Sequence, residues 1–166
     1  MRQLAALTIE HNFETAHRLP FLPGKCQNIH GHSWKVKLYF EGVLDENGIV
    51  EGIEFGQLKK VCREWIDKYL DHGAMLGWDD PLRTAFLMDG SKVFWFGEQF
   101  DLHPNDQKPG WAELPWPTVE AVAIMLGWKL GEVIENYFPN KAFGISTVML
   151  QETDVNGVEY SAQGPL

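Results

Sequence analysis

The sequence predicts an α+β chain, and three observations carry that prediction. Two segments in the first third alternate apolar and polar residues with period two. The stretch that follows switches to a helical period, and the last segment returns to β-branched residues around an Asn-Gly turn. An order of strands, helix, helix, strands is the pattern of an α+β architecture.

Each element follows from local pattern. In "LTIEHNFETAH", Leu7, Ile9, His11, Phe13, Thr15 and His17 share one face of a strand, with Thr8, Glu10, Asn12, Glu14 and Ala16 on the other. Pro20, Pro23 and Gly24 then mark a connection. "IHGHSWKVKLYFEG" alternates again, grouping His30, His32, Trp34, Val36, Leu38 and Phe40 against Ser33, Lys35 and Lys37. Asn47-Gly48 suits a hairpin leading into "IVEGI". From Phe55 the residues Leu58, Cys62, Trp65, Ile66 and Tyr69 fall on one helical face, with Gly73 as the stop. A second helix starts at Thr118 as N-cap, buries Val119, Val122, Ala123, Leu126, Leu130, Val133 and Ile134, and ends before Pro139. Asn156-Gly157 sets a closing hairpin in "FGISTVMLQETDVNGVEYSAQ". Between the helices, "SKVFWFGEQF" fits a strand and "DLHPNDQKPGW" a loop.

Composition narrows the function classes. A chain of 166 residues without an internal repeat or a linker-like tract reads as one domain, 1–166. Hydrophobic residues at 45% and aromatics at 13% imply a large packed interior or a subunit interface. A formal charge of -9 disfavours a general nucleic-acid surface, so an anionic ligand needs locally placed cations. The start "MRQLAALTIEHNF" lacks the apolar segment of a signal peptide, and no run is apolar enough to span a membrane, which leads us to expect a cytoplasmic protein. Two cysteines, Cys26 and Cys62, make no disulfide framework.

The chemistry gathers around the histidines. If the first two strands form an antiparallel hairpin, His17 at the end of one lies near His30 and His32 at the start of the next, and the His-Gly-His spacing points the latter pair the same way. One His-x-His pair is a weak signal; a third imidazole converging on it makes a zinc-type site with a fourth position open to water or substrate. Cys26 has two readings: a fourth ligand that closes a structural site, or a base beside the metal. Asp71-His72 reads either as a solvated helix end or as a carboxylate orienting an imidazole for proton transfer. Glu152 reads either as an exposed strand carboxylate or as one gripping a planar pair of donors. Cys62, on an apolar helical face, is a small buried hydrophobe.

Several motifs occur together and in order: "FETAHRLP", "CQNIHGHSWKV", "EFGQLK", "YLDH", "PWPTVEAVA" and "QETD". In this the chain resembles the 6-pyruvoyl-tetrahydropterin synthase family, and within it the bacterial 6-carboxy-5,6,7,8-tetrahydropterin synthase branch, over nearly all its length except about 77–112. The resemblance implies a tunnelling fold, a four-stranded antiparallel sheet with two helices on one face, assembled into a barrel and commonly a homohexamer with active sites between subunits. It implies zinc on His17, His30 and His32, Cys26 as proton-abstracting thiol, Asp71-His72 as its acid/base partner, Glu152 as pterin anchor and Thr118 as auxiliary contact. The implied reaction takes 7,8-dihydroneopterin triphosphate to 6-carboxytetrahydropterin, acetaldehyde and triphosphate, towards queuosine and other 7-deazaguanines. Arg18, Lys25, Lys35 and Lys37, with or without Mg2+, are the candidates for holding the triphosphate. Three residues separate Cys26 from His-Gly-His, as in the carboxy-forming branch. Two alternatives stay open: a pyruvoyl product, and a zinc-stabilised assembly module without turnover. Two departures are the insertion at 77–112 and Glu54 where the family carries Asp.

Overall fold

Strict alternation builds the first two strands. In the computed structural model, which describes residues 3–97, 110–139 and 141–162, β1 (Leu4–His17) pairs antiparallel with β2 (His30–Val43) over its whole length. The register runs from Leu4 opposite Val43 to His17 opposite His30. Ile9, Phe13, Trp34, Val36, Leu38 and Phe40 are buried on one face, with Phe13 stacked parallel to Trp34. The connection between the strands carries a short 3-10 turn, Lys25–Gln27, closed by the Leu19 amide donating to the Cys26 carbonyl at 2.7 Å.

The expected hairpin after β2 is a turn instead. The Asp45 carboxylate accepts from the amides of Asn47 and Ile49 at 2.8 and 2.9 Å, Gly48 takes a φ of 78°, and a single bridge joins Leu44 to Val50. The chain then enters α1 (Phe55–Tyr69), whose N-cap is Glu54: its carboxylate accepts from the amides of Gly56 and Gln57 at 3.0 and 2.5 Å. A Glu here does the capping work usually given to shorter side chains. Leu58, Val61, Cys62 and Ile66 are buried, whereas Phe55, expected on that face, is 43% exposed.

Gly73 does not stop this helix. Its cap is Leu70, the left-handed residue is His72 at φ 55°, and Gly73 opens β3 (Gly73–Gly77), which runs parallel to the end of β1. After α2 (Arg83–Asp89), β4 (Val93–Phe96) adds parallel to β3, and β5 (Gly110–Trp111) parallel to β4. α3 (Val119–Tyr137) begins at Thr118, whose hydroxyl accepts from the Ala121 amide at 3.2 Å. β6 (Phe143–Gln151) and β7 (Gly157–Ser161) close the described sheet as an antiparallel hairpin beside β2.

The sheet order is β5-β4-β3-β1-β2-β6-β7. The expected four antiparallel strands are present as β1, β2, β6 and β7, but the sheet has seven strands and is mixed, and a third helix is added. The extension has its own packing. Met75, Phe94, Phe96 and Trp111 join the main core with α1 and α3, while Ala74, Leu76, Val93 and Trp95 alternate to the other face and pack with Ala16 and Phe86 of α2. α1 and α3 thus share one face, as expected, and α2 lies on the other. The strand reading of 91–100 holds for Val93–Phe96; residues 98–109, including most of the loop reading, lie outside the described residues.

Candidate functional site

Pairing geometry brings three imidazoles together. His17 faces His30 across the β1–β2 ladder, and His32 faces Thr15 two residues further in. One ring nitrogen from each of His17, His30 and His32 lies within 4.8 Å of the others, the only such group of His, Cys, Asp or Glu donors among the described residues. Trp34 forms the floor, with ring centroids 5.0 Å from His17 and 5.6 Å from His32, both edge-on. Its indole N–H donates to the Thr15 carbonyl at 3.2 Å, so this bulky floor leaves no unpaired donor.

Backbone carbonyls set the orientation of two rings. His17 Nδ1 is 2.9 Å from the Pro117 carbonyl oxygen and His30 Nδ1 is 2.8 Å from that of Asn28. A carbonyl only accepts, so each Nδ1 carries a proton, and in the neutral ring that leaves the lone pair on Nε2. The Pro117 carbonyl is held in place by its loop. Trp116 lies against Gly77 of β3, where an added Cβ would come 2.4 Å from the indole.

The electrostatics favour neutral rings. Burial pushes the His17 pKa from 6.5 to about 4; the Pro117 hydrogen bond opposes this, and His30 and His32 add to it. His32 is also lowered, first by burial, with Glu152 opposing and His30 reinforcing. Nε2 of His17 and Nε2 of His32 are buried and have no hydrogen-bond partner. Two buried ring nitrogens without a hydrogen bond are costly unless something electron-deficient sits between them. Three imidazoles whose ring nitrogens converge on one point fit a divalent ion of the zinc type.

Glu152 stands closer than its sequence position suggests. Its Oε1 is 3.2 Å from His17 Nε2 and 3.9 Å from His32 Nε2 within the same chain, with the side chain 20% exposed. The β6–β7 turn delivers it, the Glu152 amide donating to the Asn156 carbonyl at 3.0 Å.

The other candidates are placed elsewhere. Cys26 is exposed on its 3-10 turn and is not a member of the imidazole group. Asp71 and His72 form a pair of their own, His72 Nδ1 to Asp71 Oδ2 at 2.6 Å, and the Glu14 amide donates to Asp71 Oδ1 at 2.8 Å. Asp71 has a lowered pKa: its partial burial works the other way, but the Glu14 amide, the His72 contact and Lys92 prevail. No hydrogen bond or ion pair among the described residues joins this pair or Cys26 to the imidazoles. Thr118 is engaged as the α3 cap.

The cations suggested for a triphosphate are partly committed. Lys35 pairs with Asp154 and Lys37 with Glu10, each at 3.0 Å, beside an open cleft of about 1100 Å³ lined also by Ser33 and Gln151 on the sheet face opposite the imidazoles. Arg18 Nε lies 3.4 Å from the buried Asp80 Oδ2. Sequence reasoning missed Asp80 and the two carbonyls of Asn28 and Pro117, since main-chain acceptors leave no trace in side-chain identity.

Comparison with known proteins adds a family. The model of the family described as 6-pyruvoyl tetrahydropterin synthase matches residues 6–163. The chain is 27% identical over 144 residues to the 6-carboxy-5,6,7,8-tetrahydropterin synthase of Rickettsia felis, covering 85% of this chain and 88% of that one. It is 37% identical over 65 residues to the protein of the same name from Haemophilus influenzae, covering 38% and 46%. An uncharacterised protein from Wolinella succinogenes has a similar structure, with a TM-score of 0.68 at 20% identity over 97% of this chain and 99% of that one. The 6-pyruvoyl tetrahydropterin synthase of Caenorhabditis elegans gives 0.64 at 22%, covering 98% and 99%. These structural likenesses show the fold.

Proposed function

Because the chain belongs to the 6-pyruvoyl tetrahydropterin synthase family, we propose that it is a 6-carboxy-5,6,7,8-tetrahydropterin synthase, converting 7,8-dihydroneopterin triphosphate to the carboxypterin, acetaldehyde and triphosphate. The observation that supports this most is the convergence of His17, His30 and His32, with the Nε2 atoms of His17 and His32 buried without a hydrogen bond and facing Glu152. These three residues would hold zinc, which supplies Lewis-acid polarisation of the substrate's side-chain oxygens.

The chain's own groups do the rest. Glu152 accepts hydrogen bonds from the 2-amino and ring N–H donors of the pterin, and its place beside His17 sets the ring next to the metal position. Cys26 takes the proton from the side-chain carbon, and His72, oriented by Asp71, returns a proton. Thr118 at the head of α3 is the auxiliary contact. Mg2+ can share the triphosphate charge with Arg18 and Lys25.

Assembly completes the site in this reading. Cys26 and Asp71-His72 are not joined to the imidazoles within one chain, and the outer edge of β1 before Thr15 carries no strand partner among the described residues. We take the active form to be a homohexamer in which neighbouring chains bring these groups together. The reaction belongs in the cytoplasm, in keeping with two free thiols, and serves 7-deazaguanine and queuosine synthesis. No described helix is long and apolar enough to cross a membrane.

The test is turnover with product identification. Supplied with 7,8-dihydroneopterin triphosphate, zinc and magnesium, the protein should release acetaldehyde and a carboxypterin. A pyruvoyl product without acetaldehyde would move it to the other branch, and no turnover at all would leave the structural-module reading in its place.

A further inference from the structure

The insertion at 77–112 reaches back to the Asp71-His72 pair through one side chain. Lys92 precedes β4, and its carbonyl accepts from the Ala74 amide at 3.0 Å, which ties it to β3. Its side chain lies across Gly73, where an added Cβ would come 2.9 Å from Lys92 Cδ. The ammonium then donates to two carbonyl oxygens at the end of α1, Asp67 at 3.0 Å and Asp71 at 2.5 Å. A cation at a helix C-terminus satisfies carbonyls that have no partner within the helix and suits the negative end of its dipole.

Those contacts fall on a strained link. His72 is the only non-glycine residue with positive φ among the described residues, and it sits between Asp71, whose carbonyl Lys92 holds, and Gly73, which the Lys92 stem covers. A left-handed histidine persists where its surroundings over-determine it. On the β1 side the hold consists of the Glu14 amide donating to Asp71 Oδ1 at 2.8 Å and the His72 amide donating to the Glu14 carbonyl at 2.7 Å. Lys92 supplies the hold from the opposite side. The His72 side chain itself is 80% exposed, and the side-chain hydrogen bond that orients it is the one to Asp71 at 2.6 Å.

We propose that Lys92 is a positioning residue for the proton-transfer pair: by clamping the Asp71 carbonyl and the α1 terminus, it keeps His72 in the left-handed turn that aims its Nδ1–H at Asp71. The insertion thus serves the chemistry through this one contact, and the proposal rests on the pterin-synthase reading of His72.

The test compares Lys92→Met, which keeps the stem over Gly73 and removes the donor, with Lys92→Arg, which keeps the cation. With 7,8-dihydroneopterin triphosphate and the zinc-loaded protein, Lys92→Met should lower kcat about tenfold with KM unchanged, and Lys92→Arg should restore most of it. Nitrogen-15 NMR of labelled histidine should show the Nδ1-protonated form of His72 dominant in the parent and reduced in Lys92→Met. Unchanged kcat together with an unchanged His72 tautomer overturns the proposal, whatever happens to the melting temperature. If the parent protein has no pterin turnover, the enzymatic reading fails by itself. The NMR comparison still decides whether Lys92 orients His72.

Discussion

His17 Nδ1 lies 2.9 Å from the carbonyl oxygen of Pro117, one hundred positions along the chain, and this hydrogen bond decides which nitrogen of a buried imidazole is free. The lone pair on Nε2 is left facing His30, His32 and Glu152. In metal-free protein, nitrogen-15 NMR should therefore find His17 as the Nδ1-protonated tautomer. Gly77→Ala should disturb it, because the new Cβ meets Trp116 and pushes the loop that carries Pro117. Overpacking of this kind costs about 1–3 kcal/mol, and loss of an orienting hydrogen bond should weaken metal affinity about tenfold or more, read by competition with a chromophoric chelator.

Acid should destabilise the metal-free protein through the same residue. The folded pKa of His17, about 4, lies below its ordinary 6.5, so between these values the unfolded chain binds a proton that the folded chain refuses. Stability is complete above pH 6.5, declines as pH falls towards 4, and levels off for this group below that. The full loss is about 3 kcal/mol. Denaturant melts of wild type and His17→Gln across this range should show the extra slope in the wild type alone.

The two thiols should separate cleanly. Burial pushes the Cys62 thiol up to about 12, whereas Cys26 is exposed. Iodoacetamide at neutral pH should label Cys26 in the native protein and reach Cys62 only on unfolding. Cys26→Ala should keep its metal and lose turnover by about 100-fold or more. Loss of zinc together with the fold would instead make Cys26 a ligand.

Thr118 allows structure and chemistry to be told apart. Its hydroxyl caps α3, so Thr118→Ala should cost about 1 kcal/mol of stability and Thr118→Ser almost none. A rise in KM for the pterin with Thr118→Ala, beyond what the melts explain and absent in Thr118→Ser, marks a substrate contact through the hydroxyl as well.

Much of this was legible because the informative pattern is local. Alternation placed His17, His30 and His32 on one face, and a two-strand hairpin suffices to bring them together. Thr118 announced α3 by a cap that acts within three residues. The parallel pairing was not legible for the opposite reason. "SKVFWFGEQF" read as a strand, but Val93–Phe96 is buried on both faces, so no alternation shows how it pairs, and its partner in β3 is set by long-range packing. The turn at Asp45 looked like a hairpin because Asn47-Gly48 fits both. Glu152 was recognised as a carboxylate of interest, but its approach to His17 depends on how β6 lies beside β2, a pairing that no neighbouring residue encodes.

X-ray absorption on the zinc-loaded protein tests the metal centre most directly. Three imidazole nitrogens from His17, His30 and His32 plus one further light atom, with one zinc per chain and no sulfur scatterer, is the expected spectrum. A sulfur shell at about 2.3 Å, or a protein that turns over substrate while free of metal, would contradict it.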